Sequence, residues 1–409
     1  MTVNQADERA IRQIAPAMAE AEAIALKTTE RVLNAFHKER VSESFFAGST
    51  GYGYGDRGRD ALDRVFARAL ETEDALVRPQ FISGTHTLTV ALFGVLRPGK
   101  ILLSVTGKPY DTLDDVIGLS DSRGDGSLRE FGIEYRQIDL KEGSVDYPAL
   151  EDALRDERIS VVMAQKSKGY QQRPTLSSAE LGKLAAFVHA RRNDVVVFVD
   201  NCYGEFCEEH EPSYYGVDLM AGSLIKNPGG GLAPTGGYLA GKTALIERCA
   251  NRLTSPGVGR ESGCTLNVLR EFYQGIFLAP HTVLQAKKTA IYAAAMCELL
   301  GFSASPGFAD PRYDIIQTVT LGAPERLLAF CKGIQAGSPV DSFVTPEAWD
   351  MPGYDAPVVM AAGAFVMGSS IELSADGPMR PPYTAFLQGG LTFESGRLGI
   401  RRAFEKILK

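Results

Sequence analysis

The stretch DVVVFVDNCYGEF, residues 194–206, decides the fold. Five consecutive apolar residues at 195–199 cannot alternate between core and solvent, so the strand they form is covered on both faces. That strand ends on a carboxylate, Asp200, at the carboxyl edge where ligand sites of open α/β sheets form. Working outward, ISVVMAQ (159–165) and GKILLSV (99–105) are further continuous strands, and FGIEYRQIDL (131–140) alternates like one. Helical patterns occupy 147–157 and 177–192, and a short apolar run opens FISGTHTLTVALFGVL before its helix. This alternation predicts an α/β fold: a mostly parallel central sheet with helices on both faces.

Upstream, apolar residues at Ile11, Ile14, Met18 and Ile24 read as one or two helices, followed by a glycine-rich break, GSTGYGYGDRGRD (48–60). Beyond about residue 265 a long helical stretch runs to residue 300, interrupted near Pro280. YDIIQTVTLG, PERLLAFCKGIQA, PVVMAAGAF and SSIELSAD then read as strand, helix, strand and strand. The expected division is an N-terminal helical arm (1–47), a large domain (48–280) and a smaller C-terminal α/β domain (281–409). Trp349, in the loop TPEAWDMPGYD (345–355), is expected to pack there.

The 409 residues carry 43 basic and 50 acidic side chains, a net charge of −7, with 44% apolar and 23% charged residues. These are the proportions of a globular protein. An acidic surface argues against nucleic acid as a partner, because phosphate binding needs a basic one. No run of about eighteen apolar residues exists and the first residues lack an apolar leader, so no membrane partner and a cytoplasmic location are expected. Six cysteines and five histidines match no zinc spacing, so no metal is expected and the thiols should be reduced.

The chemistry begins with Asp200 and a lysine 26 positions on, Lys226 in GSLIKNPGGG (222–231). A lysine can carry a carbonyl cofactor as a Schiff base, and a buried carboxylate can hold a pyridine nitrogen protonated. Together they describe a pyridoxal 5'-phosphate (PLP) site. SGTHT (83–87) opens a helix, so its backbone N–H groups favour a phosphate. Thr85 and Ser223 add hydroxyls, and Tyr110, in TGKPYDT, can stack on a flat heteroaromatic ring. Singly, each feature has a plainer reading: an ion pair, a helix cap, a turn aromatic. All four in chain order favour the cofactor. The rival from another class is a P-loop nucleotide triphosphatase, since GGYLAGKT (236–243) satisfies G-x-x-x-x-G-K-T. Such a loop follows a buried strand, whereas here YLAG itself reads as the strand, leaving Lys242 as a solvated turn residue.

In this order SGTHT, KPYDT, VDNCYGEF and SLIKNPGGG resemble the PLP-dependent fold type I enzymes of the cystathionine-lyase and methionine γ-lyase superfamily. More closely, GYGYGDRGRD, ALVRPQFISGTHT, SLIKNPGGGLAPTGGYLAGK and SADGPMRPPYTAFLQGGLTFE resemble its "aluminium resistance protein" branch, from about residue 40 to the C-terminus. The resemblance implies a PLP-dependent transferase-like fold type I. It makes Lys226 the Schiff-base lysine and proton carrier, Asp200 the partner of the pyridine nitrogen, and Tyr110 the stacking ring and a catalytic assistant. Gly84, Thr85 and Ser223 would hold the phosphate, with His86 adjoining. Tyr54 and Arg57, with Tyr52 and Arg59 as competitors, would reach the neighbouring subunit's site, which implies a homo-oligomer, expected to be a tetramer. An amino-acid substrate needs a cation for its carboxylate. Arg380 is the first choice and Arg173 the second. The implied reaction is γ-elimination, or β-elimination, on an L-amino acid with a thiol or halide leaving group. An alkyne-forming variant making propargylglycine from a chlorinated allylglycine is the alternative.

Overall fold

In the computed structural model, which describes residues 1–119, 126–350 and 356–408, two sheets divide the chain. The larger contains β1 (Asp74–Arg78), β2 (Ile101–Ser104), β3 (Glu134–Gln137), β4 (Ile159–Gln165), β5 (Val196–Asp200), β6 (Leu219–Ser223) and β7 (Gly237–Gly241). Their order is β1-β7-β6-β5-β4-β2-β3. β7 runs antiparallel to both neighbours, and every other pairing is parallel. β5 sits at the centre, which is why its apolar run is unbroken. Val197 and Val199 join one core layer and Phe198 the opposite one. Pairing of Asp200 with Gln165 on one side and Ala221 on the other lines up the carboxyl ends of β4, β5 and β6.

Helices α1 (Val3–Gln13), α2 (Ala15–Lys38), α3 (Arg57–Ala69), α4 (Gly84–Val95), α5 (Asp114–Ile117), α6 (Tyr147–Ala153), α7 (Ser178–His189), α8 (Thr243–Leu253) and α9 (Leu269–Leu300) accompany this sheet. α2, α3, α7 and α9 supply Val32, Val65, Leu184 and Phe272 to one face, and α4 and α8 supply Leu92 and Ile246 to the other. The second sheet is antiparallel throughout: β8 (Ser303–Ser305), β9 (Gln317–Thr320), β10 (Ala348–Trp349), β11 (Val358–Ala362), β12 (Ser374–Pro378) and β13 (Thr384–Gln388), in the order β10-β11-β12-β13-β9-β8. α10 (Pro324–Gly337) and α11 (Phe393–Ile407) complete that unit. α1 packs there too: Ala6, Ala10 and Ile14 share a core with Met296, Leu327 and Phe404. The Asp7 carboxylate accepts from Tyr292 Oη at 2.7 Å and from Arg397 at 2.7 and 2.9 Å.

Four local expectations need correction. α9 runs unbroken through Pro280, which is buried inside it. The helix packs on the 227–230 turn, so closely that a Cβ on Gly275 would stand 2.5 Å from the Gly229 carbonyl oxygen. The strand before SGTHT is residues 74–78, and FIS is irregular. The strand expected within SSIELSAD begins only at Ser374 and continues to Pro378. Trp349 does not pack into a loop; it lies in the edge strand β10 and is 55% exposed, and residues 351–355 of that stretch lie outside the described residues. The P-loop reading fails as anticipated: 237–241 form β7, and Lys242 Nζ sits on Asp218 at 2.7 Å. Among the described residues no helix is long and apolar enough to cross a membrane, and no group of three His, Cys, Asp or Glu can hold a metal.

Candidate active site

The carboxyl ends of the central strands and the start of α4 enclose a cavity of about 240 Å³. α4 begins where Ser83, in extended conformation, caps the helix by accepting from His86 N–H at 3.0 Å. Gly84 follows, and a Cβ there would stand 3.4 Å from Ser223 Cβ and 3.9 Å from Cys202 Sγ. Thr85 Oγ1 bonds Thr112 Oγ1 at 2.7 Å, tying the helix start to the turn that carries Tyr110. The Tyr110 ring is backed by Tyr170, with ring centroids 6.3 Å apart.

β4 delivers Gln165, Ser167 and Gly169 to the wall, and β5 delivers Asp200, Cys202 and Tyr203. Cys202 N–H donates to Asp200 Oδ1 at 3.1 Å, fixing the carboxylate. β6 leads to Ser223, Ile225 and Lys226, whose Nζ lies 4.0 Å from the centre of the Tyr203 ring. Burial pushes the Asp200 carboxyl above the usual carboxylate range, with Lys226 pulling the other way. Burial works against the Lys226 ammonium, but Cys202, Tyr203 and Asp200 around it outweigh that and hold its pKa above the ordinary lysine value.

Gly84, Thr85, Tyr110, Asp200, Ser223 and Lys226 thus line one cavity. His86 turns away: its Nδ1 accepts from Ile82 N–H at 3.3 Å, its ring meets Phe81 edge-on, and burial lowers its pKa. Arg173 lies behind the wall, with Nη2 donating to the Gln165 and Ser167 carbonyls at 2.8 and 2.6 Å. Its remaining bonds go to Gln171 Oε1 and the Pro174 carbonyl, and burial lowers its pKa to about 10. Arg380 is exposed after β12 and does not line the cavity. Tyr54 is 64% exposed and stacked on Tyr52, while Arg57 lies over the Phe45 ring. Neither reaches the cavity of its own chain. Arg59 is buried, donating to the Gly53 and Gly263 carbonyls at 2.8 and 3.1 Å, which folds the glycine-rich segment.

Sequence reasoning passed over Tyr203 and takes Cys202 for a small core residue, which its burial bears out while it also lines the cavity. The one signal for Tyr203 was position, three residues past Asp200. Tyr203 has φ +72 and Phe206 φ +61, a left-handed turn that non-glycine residues rarely adopt. Behind this turn Glu205 is fully buried and accepts from Tyr238 Oη at 2.9 Å. Burial pushes its pKa up to about 8.

The sequence profile described as methionine gamma-lyase matches residues 3–408. The uncharacterized protein YnbB of Bacillus subtilis (strain 168) is 50% identical over 389 residues, covering 95% of this chain and 92% of its own length. The carbon-sulfur lyase involved in aluminum resistance from Clostridium novyi NT superposes with a TM-score of 0.96 at 51% identity, over 99% of this chain and 96% of that one. The pyridoxal-5'-phosphate dependent protein YhfS from Escherichia coli, at 16% identity and a TM-score of 0.64 over 100% and 97% of the two chains, shares the fold. The fold is that of PLP-dependent fold type I enzymes, and with a profile that spans both sheets and the whole cavity wall, the chain belongs to the methionine gamma-lyase family.

Proposed function

We propose that the protein is a PLP-dependent lyase that removes a leaving group from Cγ, or from Cβ, of an L-amino acid, with γ favoured. The observation that carries this reading is the convergence of Lys226, Asp200 and the α4 N-terminus on one cavity. The donor set fits the cofactor: a buried amine, a buried carboxylate at a strand end, and a helix start kept open by Gly84. Once bound, PLP supplies an electron sink for the charge left at the substrate Cα. The first N–H groups of α4, with the Thr85 and Ser223 hydroxyls, would hold its phosphate, Asp200 would hold the ring nitrogen, and Tyr110 would pack on the ring.

The Lys226 amine would take the α-proton and, for a γ-leaving group, would give that proton up again before taking a second from Cβ. The Tyr110 hydroxyl is placed to assist the departing atom. Arg380 is proposed for the substrate carboxylate, because the Arg173 donors are engaged by wall carbonyls. Tyr54 and Arg57 are proposed to serve a second copy's site in a homotetramer, with the exposure of Tyr54 in support. The name of the Clostridium novyi relative, carbon-sulfur lyase, favours a thiol over a halide as the leaving group. The test is the visible spectrum of the protein incubated with PLP, beside Lys226→Ala. A band that shifts with one L-amino acid and is missing in its usual form from the variant supports the reading. A wild-type protein that stays colourless overturns it.

A further inference from the structure

Outside that site, α2, α9 and the segments 207–210 and 309–313 enclose a cavity of about 420 Å³. Two buried cations line it. Arg312 is 7% exposed, and its Nη2 donates to the Pro306 and Gly307 carbonyls and to Gln317 Oε1 at 3.3, 3.2 and 2.7 Å. Its Nε and Nη1 have no hydrogen-bond partner among the described residues. Buried guanidinium donors are ordinarily met by an acceptor, and a carboxylate suits their planar fork. Lys287 is 5% exposed and donates to the Cys207 carbonyl at 2.7 Å, one bond for three ammonium hydrogens. Burial lowers the pKa of both, which an arriving anion would reverse.

The rest of the lining narrows the ligand. Ala21, Ile24 and Ile291 give apolar walls, and Glu20 and Asp310 stand exposed at the rim. Glu208 and Glu209 line the cavity as well, so it offers both cations and carboxylates beside its apolar walls, a lining that suits a molecule carrying a carboxylate and an ammonium. We propose that this cavity binds a free α-amino acid as an effector, with its carboxylate on Arg312 and Lys287 and its ammonium toward Glu20 and Asp310.

The two cavities share no lining residue, but hydrogen bonds run between their surroundings. Asp314, two residues from Arg312, accepts from Ser167 Oγ at 2.8 Å and from Thr175 Oγ1 at 2.6 Å, and Ser167 lines the Lys226 cavity. Cys207, whose carbonyl Lys287 grips, has its Sγ 3.8 Å from Asn227 Nδ2, the residue after Lys226. A ligand that takes up Arg312 and Lys287 therefore acts on contacts that reach Ser167, in the wall of the other site, and Asn227, the neighbour of Lys226.

Equilibrium dialysis of cofactor-loaded enzyme against each radiolabelled proteinogenic L-amino acid tests this. Binding at Lys226 changes the visible spectrum; binding at Arg312 does not. The expected result is, for at least one amino acid, an equivalent per chain that is spectrally silent. Its affinity should fall by about tenfold or more in Arg312→Met. Ile24→Trp, which fills the cavity and keeps both cations, should abolish it and decides the matter alone if Arg312→Met does not fold. No silent equivalent with any amino acid, or one that survives Ile24→Trp, overturns the proposal. A colourless protein would defeat the proposed reaction and leave this proposal open, since dialysis of wild type beside Ile24→Trp assigns the bound equivalent without the spectrum.

Discussion

Glu205 offers a test of whether the layer behind the cavity is neutral. It is fully buried: Oε1 accepts from Tyr238 Oη at 2.9 Å and Oε2 has no partner among the described residues. Burial carries its pKa from 4.5 to about 8. Between those values the folded chain holds a proton that the unfolded chain has released. Stability is therefore fully present below about pH 4.5 and is lost as pH rises toward 8. At about 1.36 kcal/mol per pH unit, the loss reaches roughly 4–5 kcal/mol by pH 8. Unfolding entropy of about 2.1 cal/mol/K per residue over 409 residues turns that into a fall in Tm of about 5 °C.

Glu205→Gln keeps the volume and the acceptor toward Tyr238 and removes the titration. Scanning calorimetry of both proteins at pH 5.5 and pH 9 is the assay. Across that interval the loss is about 3 kcal/mol, so the wild-type Tm should drop by about 4 °C more than the variant's. Other buried carboxyls such as Asp63 and Asp376, present in both proteins, cancel in the comparison. Parallel changes in the two proteins would mean that Glu205 is ionised in the fold, and the account of a neutral layer would fail.

Asp200→Asn should keep the cofactor, because the phosphate and Lys226 contacts remain, yet lower kcat by roughly 10²- to 10³-fold; steady-state kinetics beside the absorption spectrum separates the two effects. Gly84→Ala places a methyl 3.4 Å from Ser223 Cβ at the helix start. It should weaken PLP binding by about tenfold with little change in Tm, read by fluorescence titration of the apoprotein. Asp7→Ala leaves the Tyr292 hydroxyl without its buried acceptor and frees Arg397. It should cost about 1–3 kcal/mol in urea unfolding, and Arg397→Ala in the same background should add less than it does alone.

What the sequence made legible is what local rules govern. The run at 195–199 had to be a doubly covered strand, and Asp200 had to stand at its carboxyl end, because both follow from periodicity and from where parallel strands stop. GGYLAGKT was readable as a strand for the same reason. Features set by distant neighbours were hidden. Pro280 signals a break in any isolated helix, yet α9 passes through it because the glycine turn at 227–230 packs against that length of helix at backbone distance. β12 begins at Ser374 because its register is set by β11 and β13, with Asp376 opposite both Met360 and Phe386, and no residue of the strand itself marks that start. Arg312 and Lys287 lie 25 positions apart with nothing linking them in the chain; only the packing of α2 over the edge of the sheet makes them neighbours of one cavity. Chain order brought out Gly84, Thr85, Tyr110, Asp200, Ser223 and Lys226 because each ends or follows a strand of one sheet. The same reasoning has no purchase on a site assembled between a helix and a loop, where burial and an unmet hydrogen bond are the first signs.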